Sequence, residues 1–302
     1  MQSTRNNRRS SLAEEATVFS CADCNLVGIL HHAERPSRVG VLIVTGGPQY
    51  RIGSHRQLLL LARAFAAAGF PTFRFDHRGS GDSEGSFHGF EQIGDDIAAA
   101  IAAFLKRSPG LHQIVLWGLC DAASAILLYA PSDPRVAGLV LVNPWVRSPE
   151  SEARAMVRHY YGRRLFDWAF WRRLLTGKVA IGAALLGFGT SLAGWLRAKS
   201  DTELEISSDS DLSLSARMAQ GLVSFKGPVG LIISGRDLTA REFEDAATVA
   251  PWCRLLADQR VMRHDLPTAD HTFSRRAWRR DLIVWTISWL RRLESIRYAP
   301  NE

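Results

Sequence analysis

The pentapeptide Gly118-Leu119-Cys120-Asp121-Ala122 is the part of the sequence whose residue types and spacing point most directly to chemistry. It follows an apolar run ending at Trp117 and opens a small-residue helical stretch, so Cys120 is expected on a sharp strand-to-helix turn. Such a turn is cramped and needs small neighbours, which Gly118 and Ala122 supply. A helix N-terminus behind the sulfur favours the thiolate through its dipole. The competing reading is a buried, inert cysteine. A nucleophile on such a turn is expected to find its acid and then its histidine later in the chain. Asp237 lies just past the apolar run 229–234, where it orients an imidazole or, alternatively, caps a helix. Its rivals Glu242, Glu244 and Asp245 fall on the helix that follows. His271 sits in a loop after the run 260–266, whereas its rival His264 reads as part of the strand itself. These residues compose a Cys120–His271–Asp237 triad in which His271 handles the thiol proton and Asp237 fixes its tautomer.

The same chemistry needs donors for a developing oxyanion, each worth about 3 kcal/mol. One is the amide of Asp121. The other is assigned to Gly47, in the loop after the run 39–45, because Pro48 has no N–H. The Asp121 carboxylate would oppose a thiolate beside it unless it points away or is paired. Tyr50, Arg51 and His55 follow the oxyanion loop and are candidates to contact an anionic substrate, with a solvated turn as the alternative. Cys21 and Cys24 form a lone CxxC, too few ligands for zinc even with His31 and His32 nearby, so no metal is assigned. The glycines at 79–85 lack the Lys-Ser/Thr of a phosphate loop, and no cofactor is expected.

The elements that must position these groups alternate. Residues 18–31 read as a β-hairpin, 39–45 as a strand buried on both faces, 57–68 as a helix closed by Gly69, and 71–76 as a second buried strand. Ile93, Ile97, Ile101 and Phe104 recur at helical spacing over 91–107. Strands are expected at 113–117, 136–142, 229–234 and 260–266, with helices at 121–130, near 242–257 and around 276–292. That alternation means a mostly parallel α/β sheet with helices on both faces. It pauses over 146–225, read as a helical cap above the strand ends where ligands of open sheets bind. The expected organisation is a flexible arm at 1–17, a core of 18–145 with 226–302, and the cap between.

Composition excludes several classes. The chain has 302 residues, 46% hydrophobic and 22% charged, which is ordinary for a globular protein and excludes a disordered one. Four cysteines in this length exclude a disulfide scaffold. The net charge of +7 is carried almost entirely by dispersed arginines without a zinc-finger or RNP-like pattern, so no nucleic-acid partner is expected. The start, MQSTRNNRRSSLAEEA, lacks the apolar core of a secretory signal, and a cytoplasmic location is expected. Residues 179–196 carry no charge, leaving open a spanning helix, contact with the inner-membrane surface, or a buried helix over the substrate.

These residues carry a family resemblance. Residues 18–292 resemble an α/β-hydrolase of the serine-aminopeptidase/monoacylglycerol-lipase type. The loop Asp76-His77-Arg78-Gly79-Ser80-Gly81-Asp82-Ser83 is similar to that family's D-x-R-G-x-G-x-S motif. TGGPQYRIGSHRQ (45–57), GLCDAAS (118–124) and SGRDLTAREF (234–243) resemble the first of two bacterial hydrolase types encoded with the exosortase A system, beside exopolysaccharide genes. The departure from the broad family is Cys120 in place of serine. The resemblance implies a cofactor-free hydrolase acting on a small-molecule ester or thioester through an acyl-cysteine. Two alternatives stand beside it: an acyltransferase with the same triad, and a non-catalytic accessory protein of a membrane-associated complex.

Overall fold

The computed structural model describes residues 14–47, 49–146 and 212–298. Eight strands form one sheet in the order β1-β2-β4-β3-β5-β6-β7-β8. β1 (Glu14–Cys21) and β2 (Cys24–His31) make an antiparallel hairpin, and β2 pairs antiparallel with β4 (Thr72–Phe75). β3 (Val39–Val44), β4, β5 (Gln113–Leu119), β6 (Val136–Val142), β7 (Val229–Ser234) and β8 (Val261–Leu266) run parallel. The parallel strands β3 to β7 are buried along their length, as unbroken Val/Ile/Leu runs require when both faces are covered. β1 alternates exposed and buried residues instead, because only one of its faces is covered.

The covering helices form two layers. On one face α2 (Gly94–Arg107), α3 (Asp121–Tyr129) and α4 (Leu214–Ser224) share a core that includes Ile97, Phe104, Ile126 and Leu222. On the other, α1 (Gln57–Ala67) and α7 (Arg276–Tyr298) bury Leu61, Phe65, Leu290 and Leu293 against the sheet. α5 (Leu238–Ala247) and α6 (Trp252–Leu256) connect β7 to β8. Among the described residues no helix is long and apolar enough to cross a membrane.

Four boundaries differ from the sequence reading. β1 begins at Glu14, inside the expected arm, because Glu14–Thr17 pair in register with Gly28–His31. α4 falls within the expected cap yet belongs to the core. Met218 and Leu222 are buried there, and a Cβ on Gly221 would lie 2.1 Å from the Leu127 carbonyl oxygen, so α3 and α4 touch backbone to backbone. The remainder of that cap, with 179–196, lies outside the described residues. The helix expected near 242–257 is two, α5 and α6, separated around Pro251, whose ring nitrogen offers no hydrogen for a continuing helix. β5 runs to Leu119, two residues past the expected end, which carries Gly118 into the sheet while Cys120 keeps the turn.

Candidate active site

Cys120 stands between the last residue of β5 and the first of α3, with φ 63° and ψ −126°. A non-glycine residue there is strained by about 1–3 kcal/mol and persists only where its surroundings impose it. Here they do. The Cys120 amide donates to the Val142 carbonyl at 2.9 Å, and its own carbonyl accepts from Ala123 at 3.0 Å as α3 begins. The turn closes so tightly that a Cβ on Gly118 would lie 2.6 Å from the Ile126 side chain and 2.8 Å from the Ala122 backbone. Gly118 and Ala122 are therefore small because the chain doubles back on itself, as the sequence reading argued.

The ends of β6, β7 and β8 are tied into one platform. The Asn143 side chain donates to Ser234 Oγ at 3.0 Å and accepts from the Ser234 amide at 2.8 Å. Gly235 donates to the Leu266 carbonyl and Arg236 to the Ala269 carbonyl, which staples the loop carrying Asp237 to the loop carrying His271. A Cβ on Gly235 would sit 2.3 Å from the Pro267 carbonyl oxygen, so only glycine permits that approach. The result is a short contact between His271 Nδ1 and Asp237 Oδ2, 2.7 Å. Asp237 also caps α5 through Oδ1, which accepts from the Thr239 amide at 3.1 Å. The two readings of this aspartate are thus not alternatives: one oxygen holds the helix and the other the ring.

His271 and Cys120 line one pocket of about 290 Å³. Burial works against a charge on the His271 ring. Hydrogen bonds to Asp237 and to the Cys120 side chain outweigh it and push the imidazole up to about 10. With Nδ1 held by Asp237, Nε2 is the nitrogen left to the sulfur. The rival His264 is elsewhere: its ring stacks on Trp285 with centroids 5.2 Å apart, and burial lowers its pKa. Glu244 is engaged with Arg263.

The loop after β3 supplies the other wall, and the D-x-R-G motif braces it. His77 Nε2 donates to the Gly47 carbonyl at 2.7 Å, and Ser80 Oγ donates to the Gln49 carbonyl at 2.7 Å. Buried Asp76 accepts from the Arg51 amide at 2.6 Å and pairs with its guanidinium, while Ser83 Oγ donates to the Asp76 carbonyl at 2.6 Å. Arg78 forks onto Asp96 at the start of α2. The motif is thus a brace for the loop after β3 that carries Gly47. Asp121 does not point away. Its carboxylate accepts from the Ala122 amide at 3.0 Å and packs against the loop after β3, where a Cβ on Gly46 would lie 1.8 Å from Oδ1. Burial raises its pKa against the pull of the nearby backbone amides.

The residues expected to contact substrate have protein partners of their own. Arg51 is buried and paired with Asp76 and, at 2.8 Å, with Asp82. Tyr50 donates to Asp82 at 2.7 Å and lies under the Arg51 guanidinium. Neither they nor His55 line the pocket; Gln49, Gln57 and Trp145 do. Gln57 is buried, and its side-chain oxygen finds no hydrogen-bond partner among the described residues. The sequence reading passed over Gln57 because a glutamine at a helix start carries no signal by itself. It noted His77 only as part of a motif. Cys21 and Cys24 are free thiols facing each other across the β1–β2 turn.

A family model described as serine aminopeptidase, S33, matches residues 40–248. An esterase of Pyrococcus furiosus is similar in structure, with a TM-score of 0.63 and 16% identity over 93% of this chain and 92% of that one. A carboxyl esterase from Bacillus coagulans gives 0.61 and 16% over 94% and 100%. A proline iminopeptidase of Mycobacterium smegmatis gives 0.59 and 14% over 94% and 100%. At these identities the likeness is one of fold. No curated protein matches the chain significantly.

Proposed function

The chain belongs to the serine aminopeptidase S33 family of α/β-hydrolases, and from that premise we propose that it hydrolyses a small-molecule ester or thioester through an acyl-Cys120 intermediate. The observation that carries this reading is the strained Cys120 turn sharing one pocket with the His271–Asp237 pair. In the first half-reaction the Cys120 sulfur attacks the acyl carbon. The C–O or C–S bond to the leaving group breaks, and His271 gives its proton to the departing alkoxide or thiolate. In the second, His271 takes a proton from water, the hydroxide adds to the acyl carbon, and Cys120 leaves as the thiolate. Asp237 holds the ring so that Nε2 faces the sulfur throughout.

A thiolate is both a good nucleophile near neutral pH and a good leaving group, so thioesters and other activated acyl donors suit it better than amides do. The resemblance of residues 45–57, 118–124 and 234–243 supports an exosortase-associated exopolysaccharide setting for the reaction. The test is a screen of p-nitrophenyl esters and acyl-CoA thioesters with intact-mass detection of the acyl-enzyme. Cys120→Ala should lose the adduct and at least about 10³-fold in kcat/KM. Equal turnover or equal labelling in that variant sinks the reading.

A further inference from the structure

One buried polar atom in the pocket of Cys120 has nothing to bind. Gln57 opens α1 and is 2% exposed, and its side-chain oxygen has no hydrogen-bond partner among the described residues. Leu61 and Phe65 lie on the same face of the helix in the following turns and belong to the core, so packing by itself calls for an apolar side chain at 57. A carbonyl oxygen buried without a donor destabilises the fold. The chain nevertheless steers Gln57 into that place. His55 and Arg56 take φ 52° and 58°, which residues with side chains adopt only where their surroundings impose it, and the Gln57 amide donates to the Ser54 carbonyl. Behind this turn, a Cβ on Gly53 would lie 2.5 Å from the Leu58 side chain. Gln57 lines the same pocket of about 290 Å³ as Cys120 and His271. We propose that Gln57 is the specificity residue of that pocket, and that its carboxamide selects hydroxyacyl donors by accepting a hydrogen bond from the hydroxyl of the acyl chain.

The inference rests on the reading of Cys120 as nucleophile. The acyl chain stays on the sulfur after the leaving group departs, so it is the part of the substrate that a buried wall beside Cys120 reads. Val44, Leu58, Leu119 and Trp145 bring apolar side chains to that wall. An amide on the acyl chain would carry a carbonyl into those surroundings that needs a donor of its own. A hydroxyl carries one oxygen, which both donates and accepts, so a single carboxamide answers it. The terminal torsion of a glutamine is broad, so the carboxamide turns to meet the hydroxyl without moving the backbone, and its oxygen gives up no bond in turning. A methyl in place of the hydroxyl leaves that oxygen unpaired, and sites built to bind a hydroxyl reject such analogues strongly.

The test compares p-nitrophenyl esters in hydroxyl–methyl pairs, lactyl with isobutyryl and 3-hydroxybutyryl with isovaleryl, in wild type, Gln57→Met, Gln57→Leu and Cys120→Ala. Each kcat/KM is divided by the spontaneous hydrolysis rate of that ester, and intact mass follows the Cys120 adduct. The leaving group is the same throughout, so the ratio within a pair reads the acyl chain. Wild type should favour the hydroxyl member of at least one pair by about 10²-fold or more, and both Gln57 variants should lose that preference. Ratios near one for both pairs in wild type, or a preference retained in either Gln57 variant, with the adduct present, overturn the inference and leave the nucleophile intact. Turnover that persists in Cys120→Ala, or no adduct in wild type, overturns the nucleophile and the inference with it. A second readout needs no turnover. The Gln57 oxygen has no partner to lose, so the denaturation midpoint of Gln57→Met should equal or exceed that of wild type. A midpoint lowered in both Gln57→Met and Gln57→Leu shows a structural role and overturns the inference.

Discussion

At position 120 the side chain is short, and what surrounds it decides its chemistry. The same imidazole that faces the sulfur is gripped by Asp237 on its other nitrogen. Asp237→Asn removes the charge that stabilises the imidazolium and offers the ring the wrong tautomer. On the proposed mechanism it should cost about 10²–10⁴ in kcat/KM, the upper end being the loss seen for an acid-to-amide change in a serine triad. The α5 cap survives, since an amide oxygen still accepts from the Thr239 amide, but the stability tied to the raised His271 pKa should fall with the carboxylate. The raised His271 pKa also has a stability consequence with a definite sign. Below about 6.5 the ring is protonated folded and unfolded, and its stabilising contribution is fully present. Between about 6.5 and 10 the unfolded chain has lost that proton and the folded one has not, so stability falls as pH rises. Denaturant midpoints across this window should therefore decline more steeply for wild type than for His271→Asn; parallel declines would show that the ring carries no such linkage.

Among the elements, the loops after β3 and β4 act as one unit. Asp76, His77 and Ser80 hold residues 51, 47 and 49 respectively, so the oxyanion loop is positioned by a motif some thirty residues downstream. Asp76 and Arg51 are both buried, and Gly81 approaches so closely that a Cβ there would lie 2.2 Å from the Asp76 carboxylate. Removing one partner of a buried ion pair leaves the other charge uncompensated. Asp76→Asn should lose about 3 kcal/mol of unfolding free energy and lower kcat more than KM, because the loop after β3 loses its anchor at Arg51 rather than a substrate contact. Unchanged denaturation midpoints would show that Asp82 alone satisfies Arg51.

Across the whole molecule, the candidate site stands at the carboxyl ends of the parallel strands, and a hairpin closes one edge of the sheet. The β1–β2 hairpin adds two antiparallel strands beside β4, and Phe19 packs its ring 5.7 Å from Phe73 and 6.2 Å from Phe75. Phe19→Ala should cost about 3 kcal/mol from lost burial and the cavity it leaves, with kcat/KM unchanged for the folded fraction. A fall in kcat/KM at full occupancy of the fold would instead couple that edge to the site. The α3–α4 contact belongs to this scale too: Gly221 lets a helix from the far side of residues 147–211 rejoin the core, so the chain returns to the sheet before β7 begins.

Strand positions were legible because unbroken apolar β-branched runs have few other uses in a soluble chain, and β3, β6 and β7 were readable to within a residue. The three residues around the pocket were legible for a related reason: each lies just past a strand end, where a parallel sheet gathers its loops. The direction a side chain takes was not. Arg51 and Tyr50 carry the right chemistry for an anionic substrate, yet three-dimensional neighbours claim both, and those neighbours lie 25 and 32 residues away. The same limit hid Asp121, whose charge was visible in the sequence and whose partners were not. A contact between residues distant in the chain leaves no periodicity to read, so only the folded backbone, by bringing the Gly46–Gly47 turn against Asp121, decided what that carboxylate meets.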